Sequence, residues 1–252
     1  MRRSGIILRQ VHEAVRAVVK PGATTMDLEE VAEKKIAELG AKPAFKGYHG
    51  FPACLCTSVN EQVVHGMPSK KTVLKDGDII SIDCGVIVDG YYSDAAETHA
   101  VGNASAETRK LLEVTKASLE QAIKEVRVGQ TLGDIGAAVQ EMCEAEGFGV
   151  VRDFVGHGIG KSMHEDPQVP NYGKRGKGTK LRAGMVLAIE PMITAGDHEI
   201  QPDASDGWSI YTADGSLAAH FEHTVAVTEN GPLVLTRHEG WSPVDEPVPA
   251  AA

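Results

Sequence analysis

A β-hairpin is predicted by the stretch Ile79-Ile80-Ser81-Ile82-Asp83-Cys84-Gly85-Val86-Ile87-Val88-Asp89-Gly90-Tyr91-Tyr92-Ser93-Asp94. The Asp89-Gly90 dipeptide between apolar, β-branched arms favours a two-residue loop. In that register Asp94 pairs with Gly85, and Asp83 pairs with Ala96. The two aspartates therefore share one face of the hairpin as diagonal neighbours, with backbones about 7–8 Å apart. Carboxylates at that spacing can converge on metal ions between them.

Further residues of metal-binding type stand in short apolar segments elsewhere in the chain. They are His157 in Gly156-His157-Gly158, Glu190 in Ala188-Ile189-Glu190-Pro191, and Glu222 in Phe221-Glu222-His223-Thr224. Each alone has an ordinary interpretation, such as a core histidine or a solvated strand end. Together with Asp83 and Asp94 they give four carboxylates and one imidazole, which is too many for one structural zinc. The set suits a pair of divalent ions that share bridging carboxylates.

An internal repeat appears when residues 13–40 are aligned with residues 120–147. The identical pairs are Glu13 and Glu120, Val19 and Val126, Gly22 and Gly129, Thr24 and Thr131, Asp27 and Asp134, and Gly40 and Gly147. Both copies read helix, Gly-x-Thr turn, helix and glycine stop. We predict N-caps at Thr24 or Thr25 and at Thr131, and helix ends just before Gly40 and Gly147. A duplicated half with a pseudo-twofold axis follows.

Strand-like segments come after each predicted helix pair. They are residues 54–59, 79–88, 91–101, 185–190, 208–211, 217–228 and 232–236. Long helices interleaved with antiparallel hairpins predict the α+β class, with an antiparallel sheet covered by two helix pairs. Residues 173–180, which are rich in lysine and glycine, are expected to form a loop. Residues 242–252 are rich in proline and alanine, and we expect a disordered tail there.

The composition excludes several classes of protein. The chain has 252 residues, is 42% hydrophobic and carries a formal net charge of −10, which disfavours a general nucleic-acid binder and predicts no DNA partner. No apolar run approaches the roughly 18 residues of a membrane span, so no membrane association is expected. The four cysteines lie in apolar contexts without CxxC spacing, which favours reduced thiols and a cytoplasmic protein.

Around these five candidate metal ligands the chain closely resembles the bacterial kind of type I methionine aminopeptidase, which has the pita-bread fold. The resemblance runs from Gly5 to about Thr236. Its specific pieces are Gly47-Tyr48-His49-Gly50, Val64-His65-Gly66, Asp76–Asp83, Gly156–Gly160, Ile189-Glu190-Pro191-Met192 and Phe221–Thr224. It implies a single catalytic aminopeptidase domain, residues 1–241, with the site between two pseudo-twofold halves.

The resemblance also implies a role for each site residue. Two divalent ions, which are Co, Mn, Fe or Zn, would be held by Asp83, Asp94, His157, Glu190 and Glu222 and would activate water. Glu190 would also accept a proton. His164 would steady the scissile carbonyl or its oxyanion, and His65 would contact the scissile nitrogen and help protonate the leaving amine.

A pocket for the methionine side chain is implied by the same resemblance. An apolar, polarizable wall suits a thioether. The residues that would line it are Phe45, Tyr48, Phe51, Cys56, Met163 and Trp208. Position 163 is often a larger aromatic residue in the family, and positions 45 and 51 also vary, so the resemblance does not fix the shape of this pocket.

The expected activity is removal of the N-terminal methionine from peptides and nascent proteins whose second residue is small. The expected protein is a monomer, and the basic loop 173–180 makes the ribosome a further candidate partner. Two alternatives remain open. One is a prolidase-like enzyme or proline aminopeptidase, which uses similar ligands but carries an extra N-terminal domain. The other is a catalytically inactive pita-bread protein that binds other macromolecules, although such proteins lose metal ligands.

Overall fold

A computed structural model describes residues 1–237 of the chain. Its α-helices are α1 (Arg2–Arg16), α2 (Thr25–Glu38), α3 (Ala106–Lys124) and α4 (Leu132–Ala145). Its strands are β1 (Lys42–Pro43), β2 (Leu55–Val59), β3 (Gln62–Val64), β4 (Ile79–Val88), β5 (Tyr91–Ala100), β6 (Gly149–Val150), β7 (Gly156–Gly158), β8 (Glu165–Val169), β9 (Val186–Ile189), β10 (Met192–Thr194), β11 (Ile200–Pro202), β12 (Ile210–Thr212), β13 (Ala218–His220), β14 (His223–Thr228) and β15 (Gly231–Val234). The α+β class is thereby confirmed.

The strands form four hydrogen-bonded sheets within residues 1–237, and every pairing between them is antiparallel. The first sheet has the order β1-β4-β2, with β5 paired to β4. The second-half sheet has the order β15-β14-β9-β7-β8. Two three-stranded sheets, β13-β10-β6 and β11-β12-β3, stand beside them. The single sheet expected from the sequence is therefore divided into four.

The helix pairs cover the sheets with their apolar faces. In the first half Leu8 and Leu28 from α1 and α2 pack with Ile82 and Val86 of β4, and all four side chains are almost fully buried. The second half has its own core, in which α3 and α4 meet β9, β10 and β14. Apolar side chains at helical spacing are thus buried against alternate residues of the strands, which gives each half the same layered construction.

The predicted repeat is present in the tertiary contacts as well as in the sequence. The backbone N–H and the hydroxyl of Thr24 both donate to the Asp27 carboxylate, and those of Thr131 both donate to the Asp134 carboxylate. The Gly22 N–H donates to Leu74 O, and the equivalent Gly129 N–H donates to Leu181 O. Isolated bridges join Thr24 to Val73 and Thr131 to Lys180. The two halves therefore share local caps and the same long-range pairing.

The repeat extends to two of the predicted metal ligands. Aligning Gly77-Asp78-Ile79-Ile80-Ser81-Ile82-Asp83 with Gly184-Met185-Val186-Leu187-Ala188-Ile189-Glu190 keeps the same spacing and places Asp83 opposite Glu190. Gly77 and Gly184 have φ angles of 93° and 91°, a conformation that glycine adopts readily. Gly77 precedes β4, which carries Asp83, and Gly184 precedes β9, which ends immediately before Glu190. The duplicated half thus contributes one carboxylate from each copy.

One predicted strand, residues 217–228, is wrong as a single element. It divides into β13 and β14, which belong to different sheets, and the break falls at Phe221-Glu222. A matching break at Glu190-Pro191 separates β9 from β10. β9 pairs with β14, and β10 pairs with β13. The β9–β10 segment and the β13–β14 segment therefore pass from one sheet to the other at the same place, next to each other. Each break puts a glutamate at the junction.

The expected tail, residues 242–252, lies outside the described residues. We expect a chain ending at Gly240 to fold and to retain activity, because the proline- and alanine-rich sequence offers little apolar surface to bury. Circular dichroism and thermal unfolding of the shortened chain, measured beside the full chain, test this. A shortened chain that fails to fold would contradict it.

Candidate metal centre and active-site cleft

All thirteen predicted site residues line one cavity of about 300 Å³. The five metal-type residues are Asp83, Asp94, His157, Glu190 and Glu222; the two histidines assigned to substrate are His65 and His164; and the six pocket residues are Phe45, Tyr48, Phe51, Cys56, Met163 and Trp208. They come from both halves of the chain and from positions more than 170 residues apart in sequence. The fold therefore collects them from separate segments.

The hairpin register agrees with the prediction from the sequence. Val88 pairs with Tyr91, Gly85 with Asp94, and Asp83 with Ala96. The Asp94 N–H donates to Thr224 Oγ1 at 2.9 Å, and the same hydroxyl donates to Asp94 O at 2.7 Å. This reciprocal pair fixes the hairpin against β14, the strand that follows Glu222.

The two glutamates are held through their backbones. The Glu222 N–H donates to Ala96 O at 2.9 Å, and Glu190 O accepts from Asn171 Nδ2 at 2.9 Å. Since each glutamate occupies a break between sheets, its side chain is not committed to the alternation of a strand. Because these hydrogen bonds use only backbone atoms of the two glutamates, their carboxylate groups remain available to face the cavity.

A cluster of ligand atoms forms around His157. Asp94, His157 and Glu222 are buried, and each offers one ligand atom within 4.8 Å of the others. His157 Nε2 lies 3.9 Å from Asp94 Oδ2 and 3.9 Å from Glu190 Oε1. Its Nδ1 lies 2.8 Å from Gly158 O, so Nδ1 carries the proton and Nε2 presents its lone pair to the carboxylates.

Burial dominates the electrostatics of the cluster. Desolvation raises the pKa of Asp83 and of Glu190 to about 7, and raises the pKa of Asp94 and of Glu222 well above its usual range. Asp83 Oδ1, Asp94 Oδ1 and Glu222 Oε1 are buried without a hydrogen-bond partner among residues 1–237. Buried acceptors with no donor need a cation. The donor set therefore fits divalent metal ions.

These pKa directions predict how the metal-free protein responds to pH. Each carboxyl group has a folded-state pKa above its unfolded value, so its stabilising contribution is present at low pH and is lost as the pH rises through about 7 for Asp83 and Glu190. The cavity histidines act in the opposite direction up to their unfolded value of 6.5. The loss at Asp83 and Glu190 is largely complete near pH 7, so a fall above pH 7 rests on Asp94 and Glu222, whose pKa is raised well above the usual range.

We therefore expect the melting temperature of the metal-free protein to fall by several degrees between pH 7 and pH 9. Differential scanning fluorimetry after chelation measures it, and the same scan with saturating Mn²⁺ is the control. Bound metal favours the ionised carboxylates, so the fall should disappear. A metal-free melting temperature that stays constant or rises would contradict the burial of these charges.

The two substrate histidines flank the cluster. His164 Nδ1 lies 2.8 Å from the Tyr48 hydroxyl, and its ring centroid lies 4.2 Å from that of His157. With Tyr48 donating to Nδ1, the proton of neutral His164 sits on Nε2. Desolvation lowers the pKa of His164, and it lowers the pKa of His65 to about 4. Both rings are therefore neutral hydrogen-bonding groups near pH 7.

The predicted methionine pocket forms a separate apolar cluster. Phe45, Phe51, Cys56 and Met163 are buried in it, and Tyr48 and Trp208 pack at its edge. Phe51 and Trp208 meet edge to face, with ring centroids 5.1 Å apart. This cluster adjoins the carboxylates, because Cys56 pairs with Asp83 across β2 and β4.

Sequence reasoning missed several residues of the cavity wall. They are His49, Val64, Phe154, Val155, Met192 and His220. A lone histidine in an apolar segment is typical of a core residue, so the sequence gives no signal for His220 beyond its position two residues before Glu222. Phe154 packs edge to face on His65, with centroids 5.4 Å apart, and only the fold brings these two together.

Comparison with known proteins assigns the chain to a family. The profile of metallopeptidase family M24 matches residues 1–229. The methionine aminopeptidase of Clostridium acetobutylicum is 53% identical over 236 residues, which cover 94% of each chain. The chain belongs to the methionine aminopeptidases of metallopeptidase family M24. The resemblance seen in the sequence is thereby confirmed.

Solved structures agree with this assignment. The methionine aminopeptidase of Thermotoga maritima superposes with a TM-score of 0.93 at 47% identity, covering 94% of this chain and 95% of its own. The prolidase of Pyrococcus horikoshii shares the fold alone, with a TM-score of 0.76 at 23% identity. This chain spans 61% of that prolidase, so the prolidase-like alternative is only distantly supported.

Proposed function

We propose that this protein is a dinuclear-metal aminopeptidase that removes the N-terminal methionine from peptides and nascent proteins when the second residue is small. The observation that carries the proposal is the junction of two features in one cavity. An apolar, sulfur-containing and aromatic pocket directly adjoins a buried cluster of carboxylates and imidazole. The pocket suits a thioether side chain, and the cluster suits hydrolysis of the bond next to it.

Asp83, Asp94, His157, Glu190 and Glu222 would hold the two divalent ions. Carboxylate oxygens and one imidazole accept Mn, Fe, Co or Zn, and the donor set does not choose among them. When bound, the ions supply Lewis-acid polarisation of the scissile carbonyl and lower the pKa of the attacking water. The paired occurrence of Asp83 and Glu190 in the repeat supports a two-ion site, with one acid from each half.

Glu190 is suited to accept the proton of the attacking water. Its carboxylate lies within the cluster, 3.9 Å from His157 Nε2 and 3.5 Å from His220 Nε2, so it would stand beside the attacking water. His164 can donate its Nε2–H to the scissile carbonyl oxygen, since the Tyr48 hydroxyl fixes the tautomer. His65, which has a positive φ of 61° after β3, can contact the scissile nitrogen. The three groups divide proton acceptance, oxyanion stabilisation and leaving-group contact among them.

The proposed partners are peptide and nascent-protein N-termini, and the proposed state is a cytoplasmic monomer. None of the helices in residues 1–237 is both long enough and apolar enough to cross a membrane. The loop 173–180 has the basic residues for a ribosomal RNA contact. Within that loop Arg175 is already engaged by Glu125 and Glu141, so the contact would rest on its lysines.

Small second residues should be preferred strongly over large ones. We expect rapid release of methionine from Met-X-Ser peptides when X is Gly, Ala, Ser, Thr, Val, Pro or Cys. Release should be slow when X is Lys, Leu or Phe. In the family the site is too narrow near the scissile bond for long side chains, and here Phe154 and His65 occupy the wall beside the metal cluster.

The measurement is kcat/KM for the peptide series with the metal-loaded enzyme. A selectivity of roughly 10²–10⁴ is expected between Met-Ala-Ser and Met-Lys-Ser. Equal turnover of the two peptides would contradict the narrow site. Cleavage of an Ala-Pro peptide at the rate of Met-Ala-Ser would favour the prolidase-like alternative.

A further inference from the structure

The cavity contains a deeply buried imidazole that the mechanism above does not use. His220 ends β13, and only 2% of its surface is exposed. Its Nε2 lies 3.5 Å from Glu190 Oε2 and has no hydrogen-bond partner among residues 1–237. Leaving a buried polar atom without a hydrogen-bond partner destabilises the folded protein. The position of His220 Nε2, which faces the Glu190 carboxylate without a hydrogen bond, therefore needs a physical explanation.

The backbone of His220 is fixed from both sides by one hydroxyl. The His220 N–H donates to Thr98 Oγ1 at 2.8 Å, and Thr98 Oγ1 donates to His220 O at 2.8 Å. Because the Thr98 hydroxyl proton is already donated to His220 O, Ser81 Oγ must be the donor in its 2.8 Å hydrogen bond with Thr98 Oγ1. Ser81 precedes Asp83 by two residues and shares its face of β4. The backbone of His220 is thus held by β4 and β5, the strand pair that carries Asp83 and Asp94.

Glu190 lies between two imidazoles, with one for each carboxylate oxygen. Its Oε1 is 3.9 Å from His157 Nε2, and its Oε2 is 3.5 Å from His220 Nε2. His157 is committed by its Nδ1 to Gly158 O, which leaves a lone pair on its Nε2. His220 faces acceptor oxygens instead, so a proton on its Nε2 gains a partner at Glu190 after a small rotation of either side chain.

We propose that His220 is a positioning residue for Glu190. Its Nε2–H donates to Glu190 Oε2 and fixes the rotation of the carboxylate, so that Oε1 stays turned towards His157. This inference rests on the proposed function of the site only for its activity readout. His220, two residues before Glu222, would orient a metal ligand through a hydrogen bond, as residues around metal ligands commonly do. Removal of such a residue typically costs 10–100-fold in metal affinity or activity.

The test compares His220→Leu, which removes the donor, with His220→Gln, which keeps an N–H at similar reach. His198→Gln on an exposed loop serves as the matched control. Each full-length protein is titrated with Mn²⁺ by calorimetry, which gives the number of ions and their affinity. Turnover of Met-Ala-Ser gives kcat and KM, and circular dichroism reports folding.

We expect His220→Leu to weaken Mn²⁺ binding or to lower kcat by roughly 10–100-fold, with the number of ions unchanged and KM altered much less. His220→Gln should recover most of both losses. If His220→Leu does not fold, Thr98→Val supplies the second variant, because it releases the backbone of His220; Thr98→Ser should behave as the wild type.

Two results would overturn the proposal. Wild-type affinity and turnover in His220→Leu would show that the imidazole does nothing for Glu190. Loss of one bound ion in both His220 variants would make His220 a metal ligand instead. Failure of the proposed function is distinguishable, because a wild-type protein that releases no methionine can still show the same calorimetric pattern among the variants.

Discussion

Asp83→Asn or Glu222→Gln should abolish methionine release and lower the bound metal. Each replacement keeps the size of the side chain and removes one negative charge that the cluster needs to hold two divalent ions. Each carboxylate has a buried oxygen without a hydrogen-bond partner among residues 1–237, so no group there can substitute for the lost charge. His157→Ala should behave in the same way, because it removes the imidazole that faces Asp94 and Glu190.

The measurements are metal content after gel filtration and release of methionine from Met-Ala-Ser. Activity should fall by at least roughly 10³-fold, since removing a ligand removes both ion binding and the charge stabilisation that the ion supplies. Glu229→Gln is the matched control, because Glu229 is exposed in the turn between β14 and β15. Full metal occupancy and full activity in either variant would refute the ligand assignment.

His164→Ala should lower kcat by roughly 10²–10³-fold, or about 3–4 kcal/mol, while both metals remain bound. The ring lies against His157 and is held by Tyr48, at a position suited to the reacting carbonyl and not to the Asp94–His157–Glu222 cluster. An interaction that strengthens as negative charge develops on oxygen affects the transition state more than the bound substrate. KM should therefore change much less than kcat.

Steady-state kinetics and metal analysis on the same preparation separate the possible roles of His164. His198→Ala, on an exposed loop, is the control for loss of an imidazole. Loss of a metal ion from His164→Ala would make His164 a ligand, and the five-ligand set would be incomplete. Near-normal turnover would leave oxyanion stabilisation to His65 or to the metals alone.

Local rules were sufficient to predict much of this site from the sequence. The Asp89-Gly90 turn fixes the register that places Asp83 and Asp94 on one face, because side chains alternate strictly along paired strands. The capping boxes at Thr24 and Thr131 fix where each repeated helix begins. These features depend on neighbours in sequence, so a reader of the sequence can find them.

What the sequence did not predict depends on contacts between distant segments. Residues 217–228 contain no glycine or proline, so no local turn signal marks the break at Phe221-Glu222. The break is explained only by the tertiary structure, in which the paired segment β9–β10 changes sheets at Glu190-Pro191, beside Phe221-Glu222. The role of His220 also depends on distant segments, because its neighbours Thr98 and Glu190 lie far from it in sequence.

The most direct test of the account is a metal titration of the chelated protein against two substrates, Met-Ala-Ser and an Ala-Pro peptide. We predict no cleavage before metal is added. Free methionine should then be released from Met-Ala-Ser as Mn²⁺ or Co²⁺ binds, with saturation at two ions per chain and little cleavage of the Ala-Pro peptide. Methionine release from the fully chelated protein, or metal binding that yields cleavage only of the Ala-Pro peptide, would contradict the account.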